Sequence, residues 1–215
     1  MRLDWRGMAH PISSEASREQ GAERPKPLLN HPFRRKKLAP RPLSIQASAV
    51  LALLAAQPTA ASLAVGLTLV AAGLGLRLWA TGHLRKTDEL TVTGPYAFVR
   101  HPLYAGALVM GCGYAIMAGP RVAAVALPLG FAFFFLYYLP RKERIEADRL
   151  AATHGAAYRA YRTAVPGLLP LPSTRRPRAR APLRWSTERV RENDEQSVLA
   201  WALVGAAALF AKWWM

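Results

Sequence analysis

Two polar stretches in a largely apolar chain carry the side chains able to do chemistry. The first is Thr93–Gly106, TGPYAFVRHPLYAG. Pro102 suits the first position of a helix, where a missing N–H costs nothing. The amides of Leu103, Tyr104 and Ala105 would then stand free at a helix N-terminus, an environment that favours anions. His101 adds a further donor just before it, and Tyr96 and Tyr104 add flat rings with hydroxyl tips. Such a set could hold a ligand with a carboxylate, polar groups and an aromatic base. Arg100, His101 and Tyr104 are also ordinary residues for a membrane interface, and the residues alone leave both readings open.

The second stretch is Arg141–Gly155, RKERIEADRLAATHG. On a helix Lys142 and Glu146 share a face, as do Glu143 and Ala147. Taken alone, this is a solvated helix whose ion pairs contribute roughly a few tenths of a kcal/mol each. Position argues for more. Both stretches emerge at one membrane face from consecutive helices, so they should meet, and a carboxylate facing a histidine and two tyrosines in a half-buried cleft is a candidate site.

The elements that must position these residues are apolar blocks. Residues 1–43 are polar, basic and proline-punctuated, and are expected to be a disordered tail. The first block runs from about Leu43 to Gln57 and the second from Thr59 to His83, separated at Gln57–Pro58, because proline disfavours helix at the residue before it. Gly66, Gly73 and Gly75 would let another helix approach closely. After a polar connection over 84–102, a third block spans Pro102–Ala118. A Gly119–Pro120–Arg121 turn leads into a fourth, Val122–Leu139. An amphipathic helix over 141–165, interrupted near Gly155, an extended Val165–Pro172 stretch and a loop at Arg175–Arg184 precede a last apolar helix, Ser197–Trp214, with Lys212, Trp213 and Trp214 as interface anchors. The fold class is therefore an all-α membrane bundle of about five transmembrane helices with a pocket on its cytoplasmic face. By domains, a tail (1–43) precedes a core (44–172), a basic cytoplasmic loop (173–196) and a C-terminal helix (197–215).

Charge fixes the expected orientation. The chain holds 29 Lys and Arg against 13 Asp and Glu, a formal charge of +16. Nearly all of the cations lie in the tail, in 81–102 and in 141–196, each bordering an apolar block. This is the pattern of loops retained in the cytoplasm, and in the expected topology only Arg121 falls on the far side. The same cations should attract anionic lipid headgroups, and no nucleic-acid partner is expected. No N-terminal signal peptide is visible, since the first apolar run begins only near Ile45. The lone Cys112 sits in an apolar block, so neither an internal disulfide nor a metal site is expected.

TGPYAFVRHPLYAG, followed after a hairpin by a Glu-bearing helix and then by HGAAYRAYRTAVPGLLP, resembles the isoprenylcysteine carboxyl methyltransferase and phospholipid methyltransferase family of membrane enzymes, over roughly residues 60–172. The resemblance implies S-adenosylmethionine as cofactor, bound on the cytoplasmic side, and a lipid-like or prenylated acceptor arriving from the bilayer. It implies cofactor contacts at Leu90, Thr91, Tyr96, His101, Pro102, Leu103, Tyr104 and Glu146, with Lys142 and Glu146 in the catalytic set. Two departures stand out. Where the family has two adjacent acids, Glu146 is followed by Ala147, with Asp148 beyond. The substrate-facing cation, commonly Arg in the prenylcysteine enzymes, falls on Lys142, a point charge in place of a fork. Competing readings are a different membrane enzyme on the same scaffold, such as a nicotinamide-dependent reductase, and a non-catalytic scaffold holding anionic lipid through its Arg-rich loops.

Overall fold

The computed structural model describes residues 40–85, 89–170 and 184–215. The chain divides into two units, Met1–Ala49 and Val50–Met215. Of the first, only the start of helix α1, Pro40–Ala55, is described, so the expectation of disorder for 1–43 falls outside the described residues except at 40–43, which are helical. The second unit carries everything that follows.

Its order is α2 (Ala60–His83), a 3-10 turn (Gly94–Ala97), α3 (Pro102–Met117), α4 (Pro120–Ala132), a π turn (Phe133–Tyr138), α5 (Leu139–Ala164), α6 (Thr187–Glu192) and α7 (Glu195–Trp214). Among the described residues there is no strand. Also among the described residues, three continuous helices are long and apolar enough to cross a membrane: Ala60–His83, Pro120–Ala164 and Glu195–Trp214. This supports three spans where about five were expected. The physical reason is length. At about 1.5 Å per residue, α2 reaches roughly 36 Å, whereas a helix of the size of α3 reaches roughly 24 Å, less than the ~30 Å of a hydrocarbon core.

Each helix begins where its sequence makes a start cheap. Thr59 caps α2: its hydroxyl accepts from the Ser62 amide at 3.1 Å, and the Ser62 hydroxyl accepts from the Thr59 amide at 2.9 Å. This reciprocal box satisfies donors a free helix end would leave unpaired. α3 and α4 both open on proline, and the turn between them needs Gly119, whose φ is 99° and whose Cβ would collide with the Gln57 carbonyl. The Gln57 amide donates to the Ala118 carbonyl at 2.8 Å, so both breaks lie at one end of the bundle.

α2 and α3 form the rigid centre. Gly73 packs on Gly106 and Gly66 on Gly113 so closely that a Cβ at Gly73 would sit 2.6 Å from the Gly106 carbonyl oxygen. Met110, Met117 and Val70 fill the seam around them. Gly75, also expected at a helix contact, faces open space.

The fourth apolar block does not stop at Leu139. α4 passes through the π turn into α5 as one continuous helix. Pro140 explains the widened turn: it has no N–H for the Leu136 carbonyl, and its ring would crowd that oxygen in ordinary α geometry. Leu136 is 81% exposed, and most large apolar side chains from Val125 to Tyr137 are likewise uncovered, as expected for residues solvated by lipid. α5 kinks at Gly155 (φ 49°, ψ −119°), where the sequence placed an interruption. The loop expected at 175–184 lies outside the described residues up to 183. Beyond it, 187–192 is helical, and α7 starts at Glu195, two residues ahead of the apolar block.

Candidate active site

The polar ends of α2, α3 and α5 meet around a cleft of about 250 Å³. Its near wall is formed by Leu84 and Arg85 and by residues between Glu89 and Tyr104. Arg85 and Thr91 close the loop after α2, the Arg85 amide donating to the Thr91 hydroxyl at 3.3 Å. Gly94 then turns the chain at φ 59°, with the His83 ring where a Cβ would stand, 2.5 Å from its Cδ2. Only glycine fits there. Tyr96 is buried in the following 3-10 turn, and its carbonyl accepts the Tyr161 hydroxyl at 2.8 Å. Burial foremost, with Tyr161 and Glu146 nearby, pushes the Tyr96 phenol far above its ordinary range, so it stays a neutral hydroxyl.

His101 is held by backbone on both sides. The Arg100 amide donates to the Pro166 carbonyl at 2.8 Å and the His101 amide to the Gly167 carbonyl at 2.9 Å. The extended Val165–Pro170 stretch therefore doubles back along the start of α3. The ring of His101 stacks on Tyr104, centroids 5.4 Å apart. The helix N-terminus is less open than its sequence implied: the Tyr104 and Ala105 amides both donate to the His101 carbonyl at 3.1 Å, so two of the three amides assigned to an anion are already used.

The far wall is α5. Tyr104 donates its hydroxyl to Glu146 Oε1, while His101 Nδ1 faces Oε2 at 3.5 Å. Glu146 lies about two turns beyond the apolar part of its helix. Partial burial pulls its carboxyl upward, but His101, Tyr104 and the charge of Lys142 together outweigh this and hold it below the usual carboxylate value. It is an ionised acceptor fixed between two ring systems. Below it, Ala147, Tyr158, Tyr161 and Val165 form a small buried cluster with Leu90 and Val92 that seats α5 on the loop.

All eight residues assigned to cofactor contact line this one cleft: Leu90, Thr91, Tyr96, His101, Pro102, Leu103, Tyr104 and Glu146. Lys142 does not line it. Its side chain is exposed, and it reaches Glu146 only through charge. The acid two places on from Glu146, Asp148, is also exposed, and the intervening Ala147 is buried in packing.

The sequence reading missed most of the far wall. Arg149, Leu150, Thr153, His154, Tyr158 and Tyr161 line the cleft with Glu146, and those before the Gly155 kink, spaced by three and four from one another, share one helical face. It missed Arg100 as well. One end of this buried guanidinium pairs with Glu143, Nη2 to Oε1 at 2.8 Å, with Arg162 4.0 Å from the same oxygen. Its Nε and Nη1, like His101 Nε2, are buried with no partner among the described residues. Unsatisfied donors of this kind are costly unless something else meets them. The signal was present in the sequence as Arg100 beside His101 and Glu143 one turn before Ala147, but only the fold shows that they pair.

Among the described residues no cluster suits a metal ion. A carboxylate fixed by a phenol and an imidazole, rings on both walls and an arginine behind them define a site for a polar, partly aromatic ligand at the end of a membrane bundle. Residues 59–146 match the family model for phospholipid methyltransferases. The chain is 33% identical over 114 residues to the nickel-cobalt-cadmium resistance protein NccN of Alcaligenes xylosoxydans xylosoxydans, covering 52% of this chain and 51% of that one. It is 34% identical over 88 residues to the protein-S-isoprenylcysteine O-methyltransferase of Schizosaccharomyces pombe, covering 40% of this chain and 36% of the other. The chain thus spans about half the length of the first relative and about a third of the second. No solved structure matches. The matched residues, 59–146, run from the cap of α2 to Glu146 itself.

Proposed function

We propose that this protein is an integral membrane methyltransferase that uses S-adenosylmethionine, opens its cleft to the cytoplasm and methylates a lipid-like acceptor, with carboxyl O-methylation favoured. The observation that carries the reading is the convergence of His101 and Tyr104 on Glu146 inside one cleft, at the end of the segment that matches the family.

The residues present fit the cofactor. Glu146 would accept from its ammonium or ribose hydroxyls, and Tyr96 or Tyr104 would pack against its adenosine. The unpartnered N–H groups of Arg100, with His101, would meet its carboxylate. The bound cofactor supplies a methyl group on a sulfonium, already activated toward nucleophiles. What the chain contributes is alignment, which in well-oriented reactions is worth roughly 7–11 kcal/mol. No strong base is needed for a carboxylate acceptor, which is ionised at neutral pH. Glu146 is held in its weakly basic form, which suits such an acceptor better than an ammonium or a thiol. Lys142, outside the cleft, would steer a charged head toward it.

Orientation is supported by where the cations fall. Arg85, Arg100 and the α5 arginines lie at the cleft end of the bundle, while Arg121 opens α4 at the other end. Lys212 joins Arg121 there, bonding the Leu54 carbonyl at 2.8 Å near the Gln57 break. The excess at the cleft end is the asymmetry of a cytoplasmic face, and the arginines there would also attract anionic headgroups. A second reading, N-methylation of a phospholipid amine, is favoured by the description of the matching family.

Incubation with native membranes and radiolabelled S-adenosylmethionine separates these. Label in a base-labile ester supports carboxyl transfer, label in a phospholipid headgroup supports the amine reading, and a labelled volatile product points to a small thiol. Membranes containing the purified protein that incorporate no label above a His101→Ala control would refute the enzymatic reading.

A further inference from the structure

The segment from Trp185 onward lies outside the matched residues, yet its polar side chains are spent on the supports of the cleft. Trp185 Nε1 donates to the Leu78 carbonyl at 3.0 Å. The Ser186 amide and Arg189 Nη1 both donate to the Gly82 carbonyl at 3.1 Å. Asn193 Nδ2 reaches the Thr81 carbonyl at 3.2 Å and the Leu84 carbonyl at 3.3 Å. The Thr81 and Gly82 oxygens sit in the last turn of α2, where helical donors run out, and the chain continues from there into the near wall of the cleft.

Two positions further on, Glu195 opens α7. It is 2% exposed, and both carboxylate oxygens close on Arg77 of α2, Nε to Oε1 at 2.5 Å and Nη2 to Oε2 at 3.0 Å. The third donor, Arg77 Nη1, reaches the carbonyl of Leu103 at 3.2 Å. Gly106 leaves room for the arginine stem, since a Cβ there would come 2.6 Å from Arg77 Cγ. Stability gives no reason for such a pair: ionic residues in a membrane helix are expensive, and apolar replacements of a buried pair often leave stability unchanged or improve it. What an apolar pair cannot do is hold a fixed charge-assisted hydrogen bond on the backbone of Leu103.

We infer that Arg77 and Glu195 are positioning residues for the cofactor cleft. Neither side chain lines the cleft. The Glu195 carboxylate aligns the guanidinium, the guanidinium fixes the Leu103 carbonyl, and that bond sets the first turn of α3, where His101, Pro102, Leu103 and Tyr104 meet the cofactor. α7 thereby becomes part of the cofactor site although it contributes nothing to its lining. The inference rests on the cofactor reading above and assigns that site a support outside the family segment.

The test uses the full-length protein in detergent, titrated with S-adenosylmethionine in a calorimeter and melted in parallel. Arg77→Lys keeps a cation beside Glu195 but is a point charge, unable to serve Glu195 and Leu103 together. The double variant Arg77→Met/Glu195→Leu removes the pair and strands neither partner. Both variants are expected to bind the cofactor about tenfold more weakly, with acceptor KM unchanged and, for the double variant, a melting temperature near that of the wild type. Wild-type affinity in either folded variant overturns the positioning role. A double variant that does not fold leaves the decision to Arg77→Lys. If the wild-type protein itself binds no S-adenosylmethionine, it is the cofactor reading that fails, and the inference falls with it.

Discussion

The two walls of the cleft hang on very different supports. The wall at the start of α3 grows from the α2–α3 crossing, where backbones touch at Gly66–Gly113 and Gly73–Gly106. The wall carrying Glu146 is the far end of a continuous helix that leaves the crossing at Pro120 and packs only loosely until it returns; no residue of α4 is buried. What fixes that second wall is the cleft itself: Tyr104 on Glu146, Arg100 on Glu143, Tyr161 on the Tyr96 carbonyl, and the small cluster below. α2 in the crossing and α4 outside it are similarly apolar. Composition therefore names the solvent of a helix, while glycine spacing and polar side chains name its partners.

The largest effect expected from breaking this contrast is at the crossing. Gly73→Ala and Gly75→Ala are the same substitution two residues apart on one helix. At Gly73 the methyl would meet the Gly106 carbonyl oxygen at 2.6 Å, backbone that cannot step aside, and the loss should be about 3 kcal/mol. Gly75 has open space, and there alanine should gain up to about 1 kcal/mol through helix propensity. Melting both variants in one detergent checks the pair; equal effects would mean that the seam is not where the structure puts it.

Next in size is Glu146→Gln, which keeps shape and removes charge. Cofactor affinity should fall about tenfold in calorimetry, with the crossing untouched and the melt at neutral pH little changed. The sign with pH follows from the depressed carboxyl. A group whose folded pKa lies below its unfolded value of about 4.3 stabilises the fold above that pH and loses the contribution as pH falls through the folded value. Wild-type protein should therefore show an acid limb below about pH 4.3 that is shallower in the Gln variant. Identical limbs would deny the carboxylate its partners.

How much of this was legible beforehand depended on whether a feature is local. The α3 start at Pro102, the break at Gln57–Pro58, the Gly119 turn and the Gly155 interruption are each written in one or two residues with a backbone consequence, and each lies where the sequence put it. The eight cleft residues were found through a resemblance that covers them. Features that depend on distant partners were not legible. Nothing near Arg77 in the chain marks its role, because its partner Glu195 lies 118 positions later. The lining residues of α5 beyond Glu146 went unassigned because nothing local distinguishes a face turned to water from one turned to a cleft. The three candidate spans fall short of the five expected for a related reason: a helix of the length of α3 reads as a membrane block by composition, and only its exact ends show that it is short.

The smallest informative change tests the seat of the second wall. Tyr161→Phe deletes one hydroxyl, which donates to the Tyr96 carbonyl from a buried position. The ring and its cluster with Ala147, Tyr158 and Val165 remain. Loss of a buried hydrogen bond of this kind costs about 1 kcal/mol, too little to unfold the crossing. If the helix carrying Glu146 is held mainly by the cleft, that cost should appear locally, as faster amide hydrogen exchange in residues 146–164 with no change in α2 or α3. A uniform change across all helices would show that the two walls share one support, and the contrast between them would dissolve.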